Sequence, residues 1–224
     1  MMTGDIFFDL QAASAGYDGR PVLHQVDLQI RRGEAVALMG RSGAGKSTLL
    51  GLLYDQRPRD IALVPQASAL VKPLSVFHNV FMGRLDRHST AYNLRNLVWP
   101  ASQEISQVSQ VLAEVDLAEK IREPAGALSG GQQQRVSVAR ALYNGRPALL
   151  GDEPVSALDG VQGAAILKLL KARHQTLVLV LHDIGLALEH ADRIVVLEHG
   201  HKIIDQPAST LQARDLVGHF GGAS

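Results

Sequence analysis

The groups whose type and spacing suggest chemistry are a lysine, a serine and two adjacent carboxylates. Lys46 and Ser47 lie in the run Gly40-Arg41-Ser42-Gly43-Ala44-Gly45-Lys46-Ser47-Thr48, which fits G-x-x-x-x-G-K-[ST]. Bare glycine backbone lets N–H groups turn toward an anion, and a helix N-terminus behind the loop adds partial positive charge. Such a loop is suited to hold a nucleoside triphosphate, with Lys46 reaching the β and γ phosphates and Ser47 ligating Mg2+. Asp152 and Glu153 stand together at the end of Pro147-Ala148-Leu149-Leu150-Gly151 and before Pro154. At the carboxyl end of a strand both side chains can face the ligand crevice of an open α/β sheet. Asp152 suits the magnesium shell, and Glu153 suits a general base that polarises an attacking water. A second glycine loop, Leu128-Ser129-Gly130-Gly131-Gln132, has the capping-box spacing of Ser129 and Gln132, so a helix starts there. Glycine in a first turn costs up to about 1 kcal/mol relative to alanine, and its bare backbone makes a second anion site.

These groups need elements to hold them. Ala35–Met39, Ile61–Val64, Ala148–Asp152 and Leu177–Leu181 are apolar runs typical of strands buried on both faces, and helical stretches alternate with them. That order predicts a wound, mostly parallel α/β sheet. Residues 47–53 read as the helix after the first loop. The helix after Ser129 should bury Val136, Ala139, Leu142 and Tyr143. Ile194–Leu197, a turn at His199-Gly200 and Lys202–Ile204 read as a hairpin. Between Pro73 and Leu128 helices take over, with Ile105, Val108, Val111, Leu112 and Val115 spaced as a core face. His199 and His201 flank a glycine with no third ligand nearby, which favours a solvated turn over a metal site.

With both glycine loops and the Asp-Glu pair in order, the chain resembles the ATP-binding subunits of ABC transporters over nearly its whole length. The resemblance implies a head-to-tail pair of copies in which residues 129–132 contact the nucleotide. Ser129 and Gly131 of one copy would close over the γ-phosphate held by Lys46 of the other. It also implies that Tyr17 stacks on adenine, that Gln66 contacts magnesium and water, that Asp159 lies in a loop crossing the dimer interface, and that His182 touches the γ-phosphate. On sequence alone Tyr17 reads equally well as an ordinary core or surface tyrosine. The wording NVFMGRL and GDEPVSALD looks like phosphonate-type import ATPases. The expected fold is a P-loop NTPase core with a helical subdomain and a truncated antiparallel β subdomain. It forms one domain over 1–224, with a core lobe of 1–72 and 142–224 and a helical subdomain of 73–141. The truncation is expected because Lys46 and Gln66 are close in sequence where relatives carry extra strands.

Composition excludes other classes. Lys plus Arg and Asp plus Glu are both 22, so no basic excess points to nucleic acid. The chain has no cysteine, hence no disulfide or thiolate metal site, and no apolar run approaches a membrane span. The N-terminus carries no basic residue ahead of its apolar stretch, unlike a secretory signal. The expectation is a peripheral ATPase on the cytoplasmic face of the inner membrane. Its partners would be transmembrane permease subunits and, indirectly, a periplasmic substrate-binding protein. Residues 69–85, apolar for a loop and helix start, read equally as core or as a groove for a membrane partner. An ATPase of an envelope-maintenance, lipoprotein-release or export complex is the alternative. A DNA-maintenance ATPase would need coiled-coil insertions for which there is no room. A soluble kinase would leave the second glycine loop unexplained.

Overall fold

Two twelve-residue strands, β1 (Ile6–Tyr17) and β2 (Arg20–Arg31), pair antiparallel as a sheet of their own in this computed structural model. The structure describes residues 5–17 and 20–219, at Tyr17 the backbone alone. Val26, Leu28 and Ile30 alternate inward along β2 with the period of a strand. The register shifts around Ala13, and Gln25 takes a φ of 49°, so Leu23 also reaches the buried side. The expected antiparallel part of the fold is therefore these two strands.

Contacts divide the chain into two units, Met1–Ile61 with Pro147–Ser224, and Ala62–Arg146. In the first, β3 (Ala35–Met39), β5 (Ala148–Asp152), β6 (Thr176–Val180), β7 (Arg193–Glu198) and β8 (His201–Pro207) run in the order β5-β6-β3-β7-β8. The pairings of β3 with β6 and β7, and of β5 with β6, are parallel. β7 and β8 form the expected antiparallel hairpin, turning at His199 and Gly200 with φ of 47° and 78°. β4 (Ile61–Val64) straddles the boundary between the units. Helix α1 (Lys46–Gln56) follows β3 directly, and α6 (Gly160–Arg173), α7 (Ile184–His190) and α8 (Ala213–Val217) complete this unit. Its core joins Phe8, Leu23 and Ile30 of the two-stranded sheet to Leu38, Leu49, Leu53, Leu150 and Val180. Wholly apolar β3, and β6 apolar after Thr176, are what burial on both faces requires. Because strand order reverses around β3, the ends of β3, β5 and β6 open onto one crevice.

The second unit holds α2 (Val76–Phe81), α3 (Thr90–Val98), α4 (Ser102–Ala113) and α5 (Gly130–Asn144). Val76, Val80, Phe81, Val108, Leu112, Val136, Ala139 and Leu142 are buried here. Buried Glu104 accepts hydrogen bonds from the hydroxyls of Tyr92 and Tyr143, which ties α3, α4 and α5 together. One expected core position fails: Ile105 is 37% exposed, lining a groove rather than the interior.

Candidate functional site

Gly45 caps α1 with φ 101°, a left-handed conformation, and a Cβ there would lie 2.6 Å from Leu23 Cδ2. At Gly40, φ 135°, a Cβ would fall 2.1 Å from the carbonyl oxygen of Leu197. Both positions exclude larger residues, so the loop wraps tightly against Leu23 and Leu197. Arg41, Ser42 and Gly43 are exposed on its rim, Ala44 is buried beneath, and Thr48 is half-buried in the first turn of α1. Lys46 is 7% exposed, and its Nζ donates to the carbonyls of Gly40 and Arg41, each at 2.8 Å. Burial pulls this ammonium below the ordinary lysine range, while attraction from Glu153 and then Asp152 opposes that pull.

Ser47 Oγ donates to Asp152 Oδ2 at 2.6 Å, so the fold joins a loop serine to a strand-end carboxylate 105 residues away. Hard divalent cations take oxygen ligands, and this hydroxyl and carboxylate fit such an ion. Next along the chain, Glu153 has φ 55°, a left-handed conformation costing about 1 kcal/mol or more for a residue with a Cβ. That turn aims its carboxylate away from the strand line. Glu153 Oε1 accepts from His182 Nε2 at 2.8 Å, His182 standing just past β6. Asp159 accepts from the Gln162 N–H at 2.8 Å and caps α6, with Ser156, Ala157 and Leu158 leading into it. One unit thus brings together residues 40–48, Asp152, Glu153 and His182.

The remaining expected residues stand elsewhere. Gln66 is exposed in the segment after β4, in the second unit. In the same unit Ser129 opens α5 with the expected capping box: Ser129 Oγ accepts from Gln132 N at 3.3 Å, and Gln132 Oε1 accepts from Ser129 N at 3.0 Å. The Gln132 amide therefore orients Ser129, while the Ser129 hydroxyl proton and the exposed Gly130 backbone are left to face an anion. The side chain of Tyr17 lies outside the described residues. Several supports escape sequence reading. Leu197 and Leu23 back the first loop, and His201, expected in a solvated turn, stacks on His24 with ring centroids 4.9 Å apart. Period-two spacing at Val26, Leu28 and Ile30 was the available signal for β2.

The ABC transporter family profile matches residues 23–156. The chain is 35% identical to a phosphonates import ATP-binding protein of Caulobacter vibrioides over 254 aligned positions, covering 98% of this chain and 95% of that relative. A protein of the same name from Trichormus variabilis is 33% identical over 235 positions, covering 93% and 95%. With 254 aligned positions against 224 residues, at least 30 positions of the first relative have no counterpart here. Among solved structures, the dimeric post-hydrolysis state of the ATP-binding cassette MJ0796 bound to ADP and Pi superposes with a TM-score of 0.77. It is 27% identical and covers 89% of this chain and 98% of that one.

Proposed function

The chain belongs to the ABC transporter family and is an ATP-binding ATPase, and on that premise we propose that it powers an importer for phosphonate or a related phosphorus oxyanion. The observation that carries the chemistry is the convergence of the glycine loop, Ser47–Asp152 and Glu153–His182 in one crevice. Lys46 neutralises phosphate charge. Glu153 takes the proton of the attacking water, and His182 holds the Glu153 carboxylate in line with the γ-phosphate. Ser47 and Asp152, joined by Gln66, are the residues to hold Mg2+, which when bound draws charge from the β and γ phosphates. Residues 129–132 of a second copy complete each site. Asp159 meets the partner copy.

Relatives named for phosphonate import support the cargo and the direction, and with them a peripheral position on the cytoplasmic face of the membrane. They likewise support permease subunits and a periplasmic binding protein as partners. No described helix is long and apolar enough to cross a membrane. The surface for a permease is α3, which is inverted: Asn96 is its buried residue, while Leu94, Leu97, Val98 and Trp99 face outward, the last two 78% and 77% exposed. Beside it, Ser75, Phe77, His78, Ile105 and Ile121 line a groove of about 360 Å³. Residues 69–85 thus divide between core, at Val76, Val80 and Phe81, and groove. Arg122 on the groove and Arg95 on α3 have no ionic partner among the described residues, which suits an amphipathic permease helix with acidic residues.

The test is uptake of methylphosphonate into vesicles reconstituted with this chain, its permease and the binding protein. Glu153→Gln should keep ATP binding and lower hydrolysis and uptake about 10²–10⁴-fold. Native hydrolysis rates in that variant sink the catalytic assignment, and sugar-stimulated uptake in place of phosphonate-stimulated uptake sinks the cargo.

A further inference from the structure

Arg140 projects from α5 and is half-buried. Its Nη1 donates to the carbonyl of Ala69 at 2.9 Å and its Nη2 to the carbonyl of Ser68 at 3.1 Å. The two acceptors are consecutive, two and three residues beyond Gln66. A guanidinium presents two parallel donors in a rigid fork, which a lysine cannot reproduce. No carboxylate pairs with Arg140 among the described residues, so its charge-assisted bonds go to backbone alone.

The loop it grips is strained. Ala69 has φ 45°, left-handed for a residue with a Cβ, and such a turn persists when its surroundings hold it. Past Ala69 the chain is held again by buried Asn79 of α2, whose Oδ1 accepts from Val71 N at 2.8 Å. The Asn79 Nδ2 donates to the carbonyls of Val71, Leu74 and Ser75. Arg140 thus secures the first part of the segment after Gln66 from α5, and Asn79 secures the rest from α2. The helix that carries Arg140 opens with Ser129, Gly130 and Gly131, ten or so residues and about 15 Å away along a rigid rod.

We propose that Arg140 is a positioning residue that makes the Gln66 segment and the Ser129–Gln132 loop move as one body, so that nucleotide engagement at either is transmitted to the other. This rests on the reading of both segments as ATP contacts. Arg140 touches no reacting atom; it acts through the backbone of Ser68 and Ala69.

The absence of cysteine allows single-site spin labels at Ala67→Cys and, as a control in the same unit, at Glu119→Cys, both exposed. Arg140→Met keeps the apolar stem and removes both donors. In that variant the label at 67 should become mobile while the control label is unchanged. Hydrolysis kcat should fall about tenfold to a hundredfold, with KM for ATP within about twofold. Arg140→Lys, which retains charge and donors, should recover part of the order at 67 and serves if the methionine variant does not fold. A label at 67 that stays as immobile in both variants as in the parent overturns the proposal, as does a raised KM with unchanged kcat. The label reads out without nucleotide, so a parent lacking ATPase activity would overturn the reading of Gln66 and leave the Arg140 clamp to be judged by its own signal.

Discussion

Lys46 is an enclosed cation whose hydrogen bonds among the described residues go to two carbonyls of its own loop, those of Gly40 and Arg41. Carbonyl dipoles offset a desolvated charge less well than a phosphate does, so the loop gains most from an anion that brings full negative charge. Removing the ammonium should accordingly affect ligand binding more than folding. ATP at a hundred times its Kd stabilises a native fold by about 2.7 kcal/mol. Lys46→Ala should lose most of the corresponding rise in Tm while its nucleotide-free Tm moves by only a few degrees, as differential scanning fluorimetry would read. At the same scale Glu153 shows that strain and position go together: its left-handed backbone lets Asp152 and Glu153 serve different partners, Ser47 and His182, although they are adjacent.

The β7–β8 hairpin depends on a charged cluster as well as on its ladder. Arg193 donates through Nε and Nη2 to Asp205, and through Nη1 to Glu34 and to the Gln29 carbonyl, while Lys202 donates to Asp205 at 2.6 Å. Burial works to raise the Asp205 carboxyl, but donors from Arg193 and Lys202 outweigh it and hold the group below the ordinary aspartate range. A carboxyl with a lowered folded pKa binds fewer protons in the native than in the unfolded state near its titration. Its stabilisation is therefore present above about pH 4 and is lost as pH falls through the folded value. Asp205→Asn should cost about 2 kcal/mol in urea denaturation at pH 7 and show a smaller loss between pH 5 and pH 3 than the native chain. Equal acid sensitivity in the two proteins would contradict the account. Helix α3 is the opposite case: buried Asn96 is satisfied by the Tyr92 carbonyl and the Ala101 N–H, while Leu94, Leu97 and Val98 face out as an apolar patch of the kind that marks an interaction surface.

At the scale of the molecule, the ATP loop and the Ser129 loop fall in different units, and the proposed catalytic assembly draws them from two copies. Substituting Ser129 by Ala or Gly131 by Val should then lower hydrolysis at least about tenfold, as loss of an oxyanion donor does, and leave ATP affinity of the isolated chain within about twofold. Equilibrium titration with a fluorescent ATP analogue beside phosphate-release kinetics separates the two; loss of monomer binding would contradict head-to-tail pairing. At the end of α1, side chains rather than backbone ladder close the contact with β1. Gln56 donates to the Asp9 carbonyl and accepts from the Asp9 N–H, and Arg57 Nε donates to the Phe7 carbonyl, so α1 is stapled directly to β1.

Much of this was legible because it is local. A glycine turn, an apolar strand and the Ser129–Gln132 box each depend on neighbours within a few residues, and the side-chain types announce them. The 3.6-residue period also marked Val108, Val111 and Leu112 correctly, yet it placed Ile105 in the core, since periodicity identifies a face without saying what covers it. By itself, then, the sequence determined the nucleotide-binding motifs, the α/β class and where along the chain the buried strands lie. Tertiary structure alone decided that Ser47 meets Asp152, that Glu153 meets His182, that α3 turns its apolar side outward and that Arg140 grips the segment after Gln66. The reason is physical: these are contacts across long chain separations, and those of Arg140 end on backbone carbonyls, which every residue carries and no residue type reveals.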